Sequence, residues 1–213
     1  MSNPTSDVDV CNLALDHLKQ ASIVNIETPT TEVEALMARQ YPQARRASLR
    51  MHPWNFASHR VDLTPDPDNV PIVGYTQAFR KPTNFIRFLS RLDEDGQRMH
   101  TEYDLEGDFI LMDAEDDETL YLRYTRDIED IGKFDPLFID YLALNLALRI
   151  SSKFSGSEAR STKLEGMMDK ILRDATAIDG QERPPRKIER SKFLQARRGQ
   201  RTAGNDQRYT YFS

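Results

Sequence analysis

The side chains able to do acid–base, metal or nucleophilic chemistry are present but scattered. The four histidines, His17, His52, His59 and His100, form no His-Glu-x-x-His pair and repeat no ligand spacing. Cys11 is the sole cysteine, so neither an intramolecular disulfide nor a cysteine metal cluster can form. Its spacing with Leu15 and Leu18 reads as a small buried hydrophobe. The run from Asp113 to Glu118 offers carboxylates to a hard cation, yet it lacks the glycine and ligand periodicity of a calcium loop and falls where a hairpin turn is needed. Glu102 and Asp104 alternate along one strand face like a carboxylate pair, without a third group to tune them. No nucleophile elbow, phosphate-binding glycine loop or dinucleotide fingerprint occurs. These residues give no catalytic set, no metal site and no cofactor site, so the expectation is of a protein that is not an enzyme.

Two further clusters carry physical weight. Arg39, Arg46 and Arg50 share one helix face, which could line a DNA path or form a solvated, ion-paired surface. His52-Pro53-Trp54-Asn55-Phe56 holds the only tryptophan, and Trp54 and Phe56, two apart at a helix-to-loop junction, read as core plugs.

Charge is distributed unevenly. The chain of 213 residues has a net charge of −5, with 38% hydrophobic and 30% charged residues. From Gly180 onward nine bases face three acids, a surplus of six that leaves −11 on the remainder. An acidic body with a basic arm suggests an arm that docks on something acidic. The arm ends Tyr209-Thr-Tyr211-Phe212-Ser213 and has too few apolar residues to pack a core of its own. Its aromatics Phe193, Tyr209, Tyr211 and Phe212 are rigid, large side chains suited to anchoring, and Arg197, Arg198 and Arg201 to charge contacts. No apolar run is long enough to cross a bilayer, and the N-terminus lacks a basic start followed by an apolar stretch, so no membrane partner and no secretory route is expected.

The elements that must carry these residues can be read from periodicity. Ser6-x-x-Asp9 and Thr31-x-x-Glu34 are capping boxes that open two helices. The first has the stripe Val8, Cys11, Ala14, Leu15, Leu18. The second has Val33, Met37, Tyr41, Ala44, Ser48 and Met51 inward, with a kink or restart predicted at Pro42. A Pro/Asp-rich connector at 64–71 leads to short aromatic and β-branched runs up to about Arg126, predicted to form an antiparallel sheet of about four or five strands. Asp135 and Pro136 then cap a third helix that is apolar almost all round, hence central or covered by another subunit. A fourth, Ser157 to Asp179, carries Leu164, Met167, Met168, Ile171, Leu172, Ala175 and Ile178 on one face, with Gly180 placed to end it. The predicted fold class is α+β: a mainly helical bundle of residues 1–60 and 133–180, an inserted antiparallel β lobe at 61–132, and an extended C-terminal arm at 181–213.

Three stretches carry a family resemblance. Cys11-Asn12-x-Ala14-Leu15 leads through a helix ending in an arginine-rich run to His-Pro-Trp-Asn-Phe-Ala at 52–57. Residues 73–89 give an aromatic strand followed by a Pro-containing turn, and Phe134-Asp135-Pro136-x-Phe138 opens the third long helix. Together they span most of residues 7–155, and they resemble the head-to-tail adaptor, head-completion or tail tubular proteins of short-tailed bacteriophages. Residues 180–213 match in character, as a polar arm. The resemblance implies a virion structural protein at the head–tail junction, assembled in the host cytoplasm. It implies a homo-oligomeric ring, commonly of twelve copies, beneath the portal protein, which closes the filled head, continues the DNA ejection channel and seats tail nozzle or fibre proteins. It also implies that the arm, with Phe193, Arg197, Arg198, Arg201, Tyr209, Tyr211 and Phe212, binds the portal. An apolar third helix suits ring packing, and an acidic body repels passing DNA instead of binding it by sequence. Two other readings stand beside this one: a DNA-binding protein tethered by its basic arm, and a virion-associated peptidoglycan hydrolase. Some relatives are credited with that hydrolase activity, and no residue pattern here carries it.

Overall fold

The computed structural model describes residues 6–154 and 158–182. Four helices, α1 (Asp7–Leu18), α2 (Glu32–Met51), α3 (Pro136–Ile150) and α4 (Glu158–Glu182), enclose one apolar core. Between α2 and α3 the chain forms seven strands: β1 (Ser58–Leu63), β2 (Gln77–Arg80), β3 (Phe85–Leu92), β4 (Arg98–Met99), β5 (Asp104–Glu106), β6 (Phe109–Met112) and β7 (Leu120–Arg126). The fold is α+β, with all described strand pairs antiparallel. The described elements up to Asp179 belong to one compact unit.

The helix starts form for the reason their sequences give. Ser6 accepts from the Asp9 N–H while the Asp9 carboxylate accepts from the Ser6 N–H, and Thr31 and Glu34 do the same for α2. Asp135 accepts from the Leu137 N–H and Pro136 supplies the first helical residue of α3. Pro42 does not restart α2. It sits on the exposed side, where water can satisfy the carbonyl that its missing N–H leaves free, while Met37, Tyr41 and Ala44 hold the helix to the core on either side. The inner face differs from the sequence prediction at its end: Leu49 is buried and Met51 is 58% exposed. Nor does Gly180 end α4, which runs on to Glu182.

Helix α3 is the hub. Ten of its fifteen residues are buried, and α1, α2 and α4 supply the cover from within the same chain. Its apolar girth is therefore satisfied inside the subunit, and it carries no argument for ring packing. Cys11, fully buried beside this helix, has its thiol pushed up to about 12 by burial, with Asp7 adding to the effect, so it packs as a hydrophobe and not as a thiolate. Helix α4 is less deeply seated: Leu164 and Ala175 are buried, whereas Met167 and Ile178 of its predicted apolar face are exposed.

The strands make two sheets where the sequence predicted one. Their orders are β1-β7-β3-β4 and β2-β6-β5. Phe88, Leu120, Leu122 and Tyr124 from the first meet Phe79, Ile110 and Met112 from the second in a separate core. The extra sheet follows from residues 113–118. They join β6 to β7, which do not pair, so this acidic run crosses between sheets instead of turning a hairpin. A true two-residue hairpin joins β5 to β6 through Gly107 and Asp108, with Gly107 at φ 46°, a conformation that favours glycine.

Trp54 and Phe56 occupy the junction between α2 and β1, Trp54 inside the helical core and Phe56 partly buried against it. Trp54 is 3% exposed and its indole N–H donates to the Ser48 carbonyl at 3.0 Å. Its ring lies edge-on to Phe138 at 5.2 Å, and Phe56 meets Phe134 at 5.6 Å and Phe138 at 5.1 Å. Trp54→Ala should therefore leave a cavity and an undonated carbonyl, with a loss of about 3–5 kcal/mol in urea unfolding. An unchanged midpoint would overturn this placement.

Asn12 ties the loop between α1 and α2 to α1 at Ile23, and one carboxylate ties it to α2. Glu34 accepts from the Thr30 N–H and hydroxyl, the Thr31 N–H and the Val24 N–H. The Thr30 backbone and hydroxyl bonds, then the Thr31 bond, hold its carboxyl down at about 2. A lowered folded-state value means the contribution is complete above the unfolded value of about 4.3 and is lost as pH falls toward 2. Glu34→Gln should thus lower the melting temperature at pH 6, with the gap to wild type closing between about pH 4.3 and pH 2. A gap independent of pH would contradict the assignment.

Candidate functional site

Helix α2 delivers Arg46 and Arg50 to the surface one turn apart, and the end of β2 delivers Arg80 and Lys81 opposite them. With Pro82, Phe85 and the Gly107–Asp108 hairpin they border an open groove of about 790 Å³. Four cations and one carboxylate, Asp108, face this space.

The cations are not equivalent. Arg46 reaches Asp127 at 3.6 Å, and Arg80 reaches Asp66 at 3.2 Å while its guanidinium lies 4.9 Å above the Phe109 ring. Asp66 is held below the usual carboxylate range by the Asn69 amide first, then by the Asp68 N–H and Arg80. Arg50 and Lys81 have no carboxylate within ion-pair distance among the described residues. Arg50 donates to the Ile86 carbonyl at 3.0 Å and Lys81 to the Gly107 carbonyl at 2.6 Å. Hydrogen bonds to carbonyls fix both side chains without neutralising them, so positive charge is held in place at the groove. That arrangement attracts anions.

Behind the groove lies Arg45, buried at the joint between α2 and the chain leaving β7. It donates from Nε to Asp127 at 3.2 Å and from Nη2 to Glu129 at 2.8 Å. Burial alone would lower its pKa, but Asp127 and then Glu129 more than offset this and hold the guanidinium charged. The sequence reading missed Arg45, although its position four residues after Tyr41 and three before Ser48 puts it on the inner face of α2.

Most of the other sequence candidates do not converge. His17 lies in the last turn of α1, His52 packs edge-on to Trp54 at 4.9 Å, His59 lies in β1 and His100 follows β4. Among the described residues no three His, Cys, Asp or Glu side chains group as metal ligands, and no helix is long and apolar enough to cross a membrane. Glu102 precedes β5 and Asp104 opens it; both are exposed. Of the arginine face, Arg46 and Arg50 reach the groove and Arg39 does not line it. Phe193, Arg197, Arg198, Arg201, Tyr209, Tyr211 and Phe212 lie outside the described residues. One apolar feature escaped the sequence reading: the β1–β2 loop exposes Val70, Ile72 and Val73, with Ile72 fully exposed.

The Arg45 cluster yields a graded prediction. Asp127 is 10% exposed and Glu129 79% exposed at the side chain. Asp127→Ala leaves a buried guanidinium short of its main counter-charge and should cost about 3 kcal/mol, while Glu129→Ala should cost under about 1 kcal/mol. Equal losses in denaturant unfolding would contradict the burial argument.

No protein-family model matches this chain, and no curated protein matches it closely enough to count as a relative.

Proposed function

We propose that this chain is a structural virion protein, the head-to-tail adaptor of a short-tailed phage. Copies form a ring, of about twelve by the family resemblance, between the portal protein and the tail nozzle or fibres, closing the filled head and continuing the DNA channel. The observation that carries the reading is the meeting of its most distinctive motifs. His-Pro-Trp-Asn-Phe at 52–56 and Phe-Asp-Pro-x-Phe at 134–138 are about eighty residues apart in sequence. Yet Trp54, Phe56, Phe134 and Phe138 form one aromatic cluster with ring centres 4.9–5.6 Å apart along its Phe134–Phe138, Phe56–Phe138, Trp54–Phe138 and Phe56–Phe134 contacts. The resemblance thus rests on residues that act together, a helical frame from both sides of an inserted strand segment. In this reading the subunit is soluble alone, rings grow on the portal as template, and the basic arm beyond α4 supplies the portal contact.

The arm is the part to test. A chain ending at Glu182 should keep the melting temperature of the full chain, fail to sediment with portal protein, and give heads that leak DNA. Truncated protein that completes heads with normal efficiency would overturn the arm's role. Zymography on cell walls separates the hydrolase reading, which requires lysis by the purified chain. Arm-dependent oligonucleotide binding that falls steeply with salt, without portal binding, would favour the DNA tether instead.

A further inference from the structure

We propose that the basic groove receives the acidic β3–β4 turn of a second copy of this chain, in a head-to-tail contact that rests on the ring reading above. The observation is a polarity along the four-stranded sheet. At one end of β3, beside Phe85, lie Arg50 and Lys81, the two groove cations without carboxylate partners. At the other end, after Leu92, the chain turns through Asp93-Glu94-Asp95. The β3–β7 register, Phe85 against Arg126 and Leu92 against Tyr121, brings the run 113–118 to that same end. Eight residues of strand separate the two ends, about 24 Å at extended spacing. Among the described residues one subunit therefore presents a basic patch at one end of the sheet and, at the other, a surplus of carboxylates over Arg60, which lies beside Gly96.

The turn is built to be presented. Asp93 holds it closed: its carboxylate accepts from the Gln97 N–H at 2.7 Å, its N–H donates to the Gln97 carbonyl, and its carbonyl accepts from the Gly96 N–H. Gly96 takes φ 75°, the left-handed region that lets the turn close. Glu94 and Asp95, by contrast, are exposed and make no ion pair among the described residues, whereas Glu118 is engaged by Arg91 and Asp116 by Gln77. The turn's backbone and the two groove cations are held before contact, so little loop ordering opposes it, and the side-chain ordering that remains is that of Glu94 and Asp95. The C-terminal arm, with nine bases against three acids, is a poorer electrostatic match to the groove than this turn. A contact between two different patches of one chain is heterologous, and it generates a ring when the rotation closes.

The test is a charge swap. One variant carries Arg50→Glu and Lys81→Glu, the other Glu94→Lys and Asp95→Lys, each checked for an unchanged melting temperature. If the double groove variant unfolds, Lys81→Glu is used alone. Sedimentation equilibrium at low salt should show wild-type self-association that salt abolishes. Each variant alone should associate roughly tenfold more weakly, and an equimolar mixture should regain association, because each swapped patch then meets its opposite. Wild-type chains that stay monomeric up to about 1 mM, or variants that associate like wild type, or a mixture that regains nothing, overturn the contact. So does a groove variant that loses oligonucleotide binding while self-association stays intact, which would make the groove a phosphate site. Chains that pass the swap yet never bind portal would overturn the adaptor reading and leave this contact standing. Portal-bound rings indifferent to the swap would do the reverse.

Discussion

The structure hangs on an aromatic joint. The chain leaves the helical core after Ala57, touches it once at Ile86 and returns to it from Ile128 on, so most of what lies between is an excursion whose ends must be held together. Closing such a loop costs entropy that grows slowly with length but must be offset at one place. Trp54 and Phe56 on the outgoing side, Phe134 and Phe138 on the returning side, supply that place by packing four large rings together at the start of α3, three of them buried and Phe56 partly so. The Ser48 carbonyl, bonded to the Trp54 indole, fixes the orientation from α2. A few residues away Arg45 and Asp127 add a charged tie across the same joint. Two cores, one helical and one between sheets, can then form without drifting apart.

Surface electrostatics sit on this frame in a definite order. Arginines one turn apart on the last part of α2 cannot face a strand end unless the joint fixes where β2 and β3 begin. The groove is thus a consequence of the aromatic joint, and its unneutralised cations, Arg50 and Lys81, are held by backbone carbonyls of β3 and of the β5–β6 hairpin. The acidic turn lies a strand's length away for the same reason. An acidic body with one fixed basic recess repels copies of itself in most orientations and tolerates few, which favours ordered over random association.

Much of this is legible in the sequence. Both capping boxes, the Asp135-Pro136 start and the burial of Cys11 follow from local patterns that nothing tertiary overrides. The misses have physical causes. Strand β1 reads as polar because it is an edge strand, with His59 half-buried and Arg60 and Asp62 exposed. Residues 113–118 look like a hairpin turn because sequence cannot distinguish a turn within a sheet from a crossing between sheets. Arg45 sits on an inner face where charge is not expected, and its partners Asp127 and Glu129 are some eighty residues on. The apolar α3 read as either central or covered by another subunit, and sequence could not choose between them; its cover is intramolecular. The groove draws on α2, β2–β3 and β5–β6, so no contiguous motif could have announced it.

The central claim, an adaptor ring templated by a portal, is most directly tested by electron microscopy of the purified chain mixed with the portal protein of its own virion. The account predicts an added ring of density on one face of the portal, coaxial with its channel and with one copy of this chain per adaptor position. Portal particles unchanged at saturating concentrations of folded, full-length chain would contradict it.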